Sequence, residues 1–264
     1  MPAENLFKNG LVFFDFYLVY SIKYNYNNIV AELFVIGTPI GNLGDITFRA
    51  VETLKNVDYV AAEDTRHTLN ILNHFEIKKP LISCRAQNEK TAGEKIIALL
   101  KDGHDVAYAS DAGTPGVSDP GAVLVDMVRD AGFNVVPIPG PSAFATLVSV
   151  AGTGGKTLIF EGFLSPKPGK RRSRLKELMD TKNAVIIYES PFRIVKLLSD
   201  IADIESTRRI VVGRELTKMH EEITSGSARQ LFEDYSSRQS IKGEFAIFIS
   251  GVKNAKHSEE SADN

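Results

Sequence analysis

The sequence predicts an α/β protein of two domains, each a mainly parallel or mixed sheet flanked by helices, and three observations carry that expectation. From Leu33 onward, short apolar runs alternate with amphipathic segments of helical period, the pattern of repeated strand-helix units. The alternation halts at the glycine-rich stretch 152–155 and then restarts. Several apolar runs end in loops dense in glycine and proline, at the strand ends where open α/β sheets place their ligands.

Taken in order, residues 33–36, 59–62, 81–83, 106–109 and 135–138 read as strands, each a short run rich in Val, Ile, Leu or Ala. Between them, 47–54, 65–75, 91–100 and 122–131 have helical spacing, and 141–150 adds a helix after the last strand. These make an N-terminal domain over 33–151. In the second half, 157–160, 184–188, 210–213 and 245–250 read as strands and 172–179, 193–201 and 228–235 as helices, giving a C-terminal domain over 156–251. Residues 252–264 are charged and Ser-rich and read as a solvated tail. Residues 1–32 are dense in Phe, Tyr and Asn; their apolar run at 10–22 falls short of the roughly 18 residues a spanning helix needs and is interrupted by Asp15. No small-residue cleavage pattern follows it, so it reads as a non-essential, poorly ordered extension.

A formal net charge of -2 argues against a broadly basic nucleic-acid binder while leaving room for a local basic patch. Cys84 is the single cysteine, so no internal disulfide forms and a reducing cytoplasm is the simpler setting. His67, His74, His104, His220 and His257 lack a metal-ligand spacing, and no metal site is expected.

The stretch that commands most attention is D-A-G-T-P-G-V-S-D-P-G, residues 111–121, directly after the strand 106–109. Proline restricts φ and glycine opens backbone angles closed to other residues, so a ligand can approach this main chain closely. Two further loops share its character. G-T-P-I-G-N-L-G-D, residues 37–45, leads into a helix whose free N–H groups suit an anion, yet it has neither the G-x-G-x-x-G of a dinucleotide fold nor the G-K-[ST] of a P-loop. P-I-P-G-P-S-A, residues 137–143, ends the fifth strand. Together the three outline a pocket rim. A-E-D-T-R, residues 62–66, offers Glu63 and Asp64 as acid or base and Arg66 as a phosphate ligand, although acidic residues at a helix start are also favoured by the dipole alone. In the second half, F-L-S-P-K-P-G-K-R-R-S-R, residues 163–174, reads as a flexible basic loop suited to phosphate backbones. Y-E-S-P-F-R, 188–193, and G-R-E-L-T-K, 213–218, bring further charges to strand ends.

In that order these motifs closely resemble the ribosomal RNA small subunit methyltransferase I family, of the tetrapyrrole-methylase superfamily, over about 33–251. The resemblance implies a two-domain tetrapyrrole-methylase-like fold and S-adenosylmethionine-dependent 2′-O-methylation of a cytidine ribose in 16S rRNA of the small ribosomal subunit, by a cytoplasmic homodimer with the donor in the cleft between its domains. It implies a donor site of Pro39, Ala112, Gly113, Thr114, Val117, Ser142, Ala143 and Tyr188. Asp64 is then the first candidate base, with Glu63 and Glu189 behind it, because a ribose hydroxyl needs help to attack in line with the departing sulfur. Arg66, Lys170, Arg171, Arg172, Arg174, Arg193 and Lys218 are the expected RNA contacts. This chain departs from the family in carrying Phe192 where Y-E-S-P-H-R is common, and Arg85-Ala86-Gln87-Asn88-Glu89 where H-E-H-N-E is common. Two rival readings remain: C-methylation of a tetrapyrrole precursor, and a non-catalytic RNA-binding assembly factor that keeps the pocket only as structure.

Overall fold

A computed structural model describes residues 31–152, 154–155 and 157–251. The expected N-terminal extension, apart from its last two residues, and the expected polar tail lie outside the described residues. No helix among the described residues is long and apolar enough to cross a membrane.

The first sheet is built from β1 (Glu32–Ile36), β2 (Tyr59–Ala62), β3 (Leu81–Ser83), β4 (Val106–Ala109) and β5 (Asn134–Ile138), all parallel, in the order β3-β2-β4-β1-β5. Its strands read as apolar runs because both faces are covered. Successive residues alternate between the faces: Leu33, Ala61, Val106 and Tyr108 pack under α3 (Glu89–Lys101) and α4 (Ala122–Asp130). Ile36, Val60, Ala107 and Ile138 pack under α1 (Phe48–Asn56) and α2 (Thr65–His74). The strand order puts β4, β1 and β5 side by side, so the loops that follow them become neighbours although they are far apart in the chain.

Local chemistry starts each helix where it does. The Thr47 hydroxyl accepts from the Ala50 N–H at 3.1 Å to cap α1, and an Asp64 carboxylate oxygen accepts from the Arg66 N–H at 2.9 Å to cap α2. α4 has no cap of its own, since Gly121 stands at its N-cap. Buried Glu89 of α3 supplies one from a distance: its Oε1 accepts from the N–H groups of Gly121 and Leu124 at 2.9 and 3.0 Å. That bond pins the end of the 111–121 loop to the helix layer.

The second sheet comprises β6 (Leu158–Phe163), β7 (Ala184–Glu189), β8 (Arg209–Arg214), β9 (Glu222–Ser227) and β10 (Phe245–Ile249), in the order β6-β7-β10-β8-β9; only β6 and β7 pair in parallel. One face packs against α6 (Pro168–Asp180), α7 (Ile194–Ile204) and α8 (Ala228–Ser237), around Leu175, Leu198, Ile210 and Ile247. The other face takes α5 (Ala143–Ala151), whose Leu147 and Ala151 sit among Ile186, Val211 and Phe248. The helix that the alternation groups with the first half therefore contributes its buried side to the second sheet. The hydrophobic cores divide before α5, at residues 139–142, rather than after it.

Two further elements differ from the sequence reading. β9, E-I-T-S-G-S, has almost no apolar alternation, and its extended form is imposed by the ladder to β8. The basic stretch after β6 is not a flexible loop beyond Lys167. Pro168 opens α6, with a φ suited to a first helical turn, and Arg171, Leu175, Leu178 and Met179 form its buried stripe.

Arg171 is accordingly corrected as an RNA contact. It is buried, and its Nε donates to Asp200 Oδ2 on α7 at 2.7 Å, while Asp200 Oδ1 lies 3.3 Å from Arg172 Nη1. The pair ties α6 to α7. Removing the carboxylate with Asp200→Ala strands a buried guanidinium and is expected to cost about 3–5 kcal/mol, measured as the loss of unfolding free energy in a urea titration.

Candidate functional site

The three loops after β1, β4 and β5 are joined through their main chains. Thr38 and Gly113 exchange backbone hydrogen bonds of 2.9 and 3.0 Å, the Gly37 N–H donates to the Ile138 carbonyl at 2.9 Å, and the Thr114 hydroxyl donates to the Pro141 carbonyl at 3.2 Å. Gly37 and Gly140 lie so close that a Cβ on Gly37 would stand 2.7 Å from the Gly140 Cα. Gly113 has φ +81°, a conformation that L side chains rarely adopt. Glycine here is required by close approach and by backbone angle.

Between these loops and the ends of β7 and β10 lies a cavity of 420 Å³, within the range of small-molecule sites. Ala112, Gly113, Thr114, Val117, Ser142, Ala143 and Tyr188 line it. Pro39 is buried beside them, and its neighbour Ile40 reaches the wall instead. Tyr188 carries the far wall, edge-on to Phe160 and Phe163 with ring centroids at 5.0 and 5.8 Å. Burial pushes its phenol up, with the Phe144 backbone and the Ser142 hydroxyl acting the other way. Small side chains on one wall and an aromatic stack on the other suit a flat, partly apolar ligand held by main-chain groups.

The acidic candidates fall into different environments. Glu63 and Asp64 follow β2, which neighbours β4 but not β1 or β5, so they meet the 111–121 loop from the outside. The Asp64 N–H donates to Asp111 Oδ1 at 2.8 Å. The Asp64 carboxylate accepts from Arg66 Nε at 3.0 Å and Nη2 at 2.5 Å, and Arg66 holds it well below the usual carboxylate range. A carboxylate so stabilised is a weak proton acceptor, and it does not line the cavity. Glu63 is pushed up by burial, with the charges of Asp111, Asp119 and Asp64 adding to the effect and the Asp111 N–H opposing it. It too lies off the cavity wall.

Glu189 reaches the wall, but its side chain is wholly buried. Strand alternation explains this, because Val185 and Ile187 at the same phase of β7 face the α6–α8 layer. Glu189 Oε1 accepts from the Ser190 N–H at 2.7 Å and from Arg193 Nε at 2.6 Å, while Oε2 has no hydrogen-bond partner. Arg193 also donates to the Leu164 carbonyl at 3.3 Å. This pair is an anchor for residues 190–193, which carry the exposed Phe192 beside the cavity mouth.

The expected RNA contacts are scattered. Lys218 lines the cavity and bonds Glu215 Oε1 at 3.0 Å and Glu244 Oε2 at 2.8 Å. Arg66 is exposed on Asp64. On α6, exposed Arg172 pairs with Asp203 at 3.2 Å and Arg174 pairs with Glu161 at 2.8 Å, whereas Lys170 is exposed with no ion pair among the described residues. Two acidic wall residues were missed by sequence reasoning. Asp119 stands inside the quoted 111–121 motif but looked like one more turn residue, and Glu244 precedes β10 with no motif to mark it. Among the described residues no cluster of three or more His, Cys, Asp or Glu could hold a metal ion.

The family model of Tetrapyrrole (Corrin/Porphyrin) Methylases matches residues 32–231. The chain is 44% identical over 219 residues to a Ribosomal RNA small subunit methyltransferase I of Borrelia garinii, covering 83% of this chain and 98% of that protein. It is 42% identical to one of that name from Thermotoga maritima, covering 84% and 99%, and 39% identical to one from Bacillus subtilis, covering 90% and 82%. Among solved structures it is similar to a cobalt precorrin-4 methyltransferase of cobalamin biosynthesis, with a TM-score of 0.60 at 16% identity over 83% of this chain and 94% of the other, a likeness of fold.

The Gly37–Gly140 approach makes a direct prediction. Gly140→Ala forces a methyl group against the Gly37 main chain and is expected to destabilise the protein by about 1–3 kcal/mol, read as a lowered thermal midpoint.

Proposed function

Because the chain belongs to the ribosomal RNA small subunit methyltransferase I family of the tetrapyrrole methylases, we propose that it transfers a methyl group from S-adenosylmethionine to 16S rRNA of the small ribosomal subunit, at the 2′ oxygen of a cytidine ribose. The reading includes a cytoplasmic setting and a homodimer, both taken from the family. The observation that carries the donor site is the 420 Å³ cavity at the carboxyl ends of β4, β1 and β5, where glycine and alanine expose main chain and Tyr188 closes the far side.

The residues present fit that donor. The Gly113 N–H and carbonyl are spent on Thr38, and this pairing sets the neighbouring main chain of Ala112 and Thr114 beside a nucleoside, at a place where a Cβ on Gly113 would be strained. Asp119, a carboxylate with no ion pair among the described residues, puts negative charge on the wall, which complements a positively charged sulfonium. When bound, S-adenosylmethionine supplies an electrophilic methyl group. The chain's own part is to orient: Tyr188 and its aromatic neighbours hold one side, and the Glu189–Arg193 pair fixes the loop over the mouth. Preorganised alignment of this kind supplies much of the acceleration in a displacement reaction.

The basic face of α6 supports an RNA substrate. Lys170 is exposed and not engaged in an ion pair among the described residues, so it is available to a phosphate. Lys170→Ala is expected to lower the slope of log affinity for small subunits against log salt by about 0.7–0.9, with donor affinity unchanged, measured by filter binding over a salt series.

The reading is tested by transfer of a labelled methyl group from S-adenosylmethionine to small ribosomal subunits, followed by nuclease digestion and nucleoside analysis. Label on a cytidine ribose oxygen is the expected outcome. Label on a base overturns the 2′-O assignment. Donor binding without transfer to any subunit, or transfer to a tetrapyrrole precursor instead, overturns the RNA reading.

A further inference from the structure

The four most exposed large apolar side chains among the described residues are Phe48, Phe163, Phe192 and Met219, and three of them stand at the cavity. Phe163 is part of its wall, edge-on to Tyr188. Phe192 and Met219 lie just outside, each one residue beyond a lining residue, Pro191 and Lys218. Phe192 is 87% exposed, belongs to no hydrophobic core and meets no other ring among the described residues. Large apolar side chains gathered at a cavity mouth, rather than scattered singly, mark a surface that a ligand covers.

The main chain that carries Phe192 is fixed. The Ser190 carbonyl accepts from the N–H groups of Arg193 and Ile194 at 3.1 Å each, which closes a tight turn. Glu189 Oε1 holds the same turn through the Ser190 N–H and Arg193 Nε, and Arg193 reaches across to the Leu164 carbonyl at 3.3 Å. A ring on so braced a turn loses little freedom when it is covered.

We propose that Phe192 stacks on the base of the nucleotide to be methylated, drawn out of the RNA stack to the mouth of the cavity, an inference that rests on the function proposed above and adds how that substrate is held. Two features favour a nucleobase as the occupant. Base and 2′ hydroxyl are carried on adjacent ribose carbons, so a hydroxyl turned towards the donor leaves its base at the rim. The second feature is charge. β6 and β7 are parallel neighbours, so the start of α6, with exposed Lys170, lies at the same carboxyl end of the sheet as the turn 190–193, and Arg193 ties the two segments through Leu164. A cation for the phosphate backbone beside a ring for the base is the combination by which proteins hold unpaired nucleotides. Stacking on Phe192 offsets the stacking that the extruded base gives up. Every base has a π-face, so the ring positions the ribose without choosing the cytidine.

The test is methyl transfer to small subunits over a range of subunit concentrations, with donor affinity measured by calorimetry and the thermal midpoint recorded for each variant. Phe192→Ala is expected to lower kcat/KM for subunits by about 5–150-fold, with donor Kd and thermal midpoint unchanged. Phe192→Tyr, which keeps the flat ring, is expected to recover most of the loss, whereas Phe192→Leu, which keeps only apolar surface, is not. The chain contains no tryptophan, so Phe192→Trp supplies a single fluorescent reporter, and its emission is expected to be quenched when small subunits are added without donor. Near-normal transfer by Phe192→Ala, equal recovery by Phe192→Leu, or an unquenched Phe192→Trp overturns the stacking role while leaving the function intact. Loss of self-association by Phe192→Ala with kcat/KM unchanged assigns the ring to a second copy of the chain and overturns it as well. Absence of transfer by the unaltered chain overturns the function and this inference with it.

Discussion

The site depends on the approach of Gly37 to Gly140. A Cβ on Gly37 would press against the Gly140 main chain, so neither loop tolerates a side chain there without moving. That contact draws the loops after β1 and β5 together, and the paired hydrogen bonds between Thr38 and Gly113 draw in the loop after β4. With the loops so joined, their main-chain groups face one cavity. The approach is possible only because β4, β1 and β5 are adjacent in the sheet.

The second half of the chain completes the cavity through α5. This helix follows directly from the Pro139–Ser142 turn and buries Leu147 and Ala151 on the second sheet. The turn that forms part of the donor wall is therefore also the joint between the two hydrophobic cores. Glu89 restrains the opposite side by holding Gly121 against the helix layer. The site is thus braced by a backbone contact on one side and a buried carboxylate cap on the other.

Charge is distributed by the same geometry. Arginine neutralises the carboxylates that serve structure: Arg66 on Asp64, Arg193 on Glu189 and Arg171 on Asp200. The cleft itself keeps Asp119 without such a partner and next to other acids. Burying like charges is unfavourable in the absence of a cation, and a positively charged ligand relieves that cost.

The sequence by itself determined the alternation of strands and helices, the three glycine- and proline-rich strand ends and the family to which those motifs belong, because each of these is a local pattern of backbone freedom and apolar spacing. It misplaced Arg171, which shares a basic run with exposed Lys170 and differs from it only in the helix face it occupies. It passed over β9, whose strand form comes from its partner, and it grouped α5 with the half of the chain that precedes it rather than the sheet it packs on. For the acidic residues, the motifs put Asp64 first, with Glu63 and Glu189 behind it, and passed over Asp119. Only the tertiary structure decided their surroundings, with Asp64 held by Arg66 outside the cavity, Glu189 buried on Arg193 and Asp119 on the cavity wall, because what lies beside a carboxylate depends on how the fold brings the strand ends together.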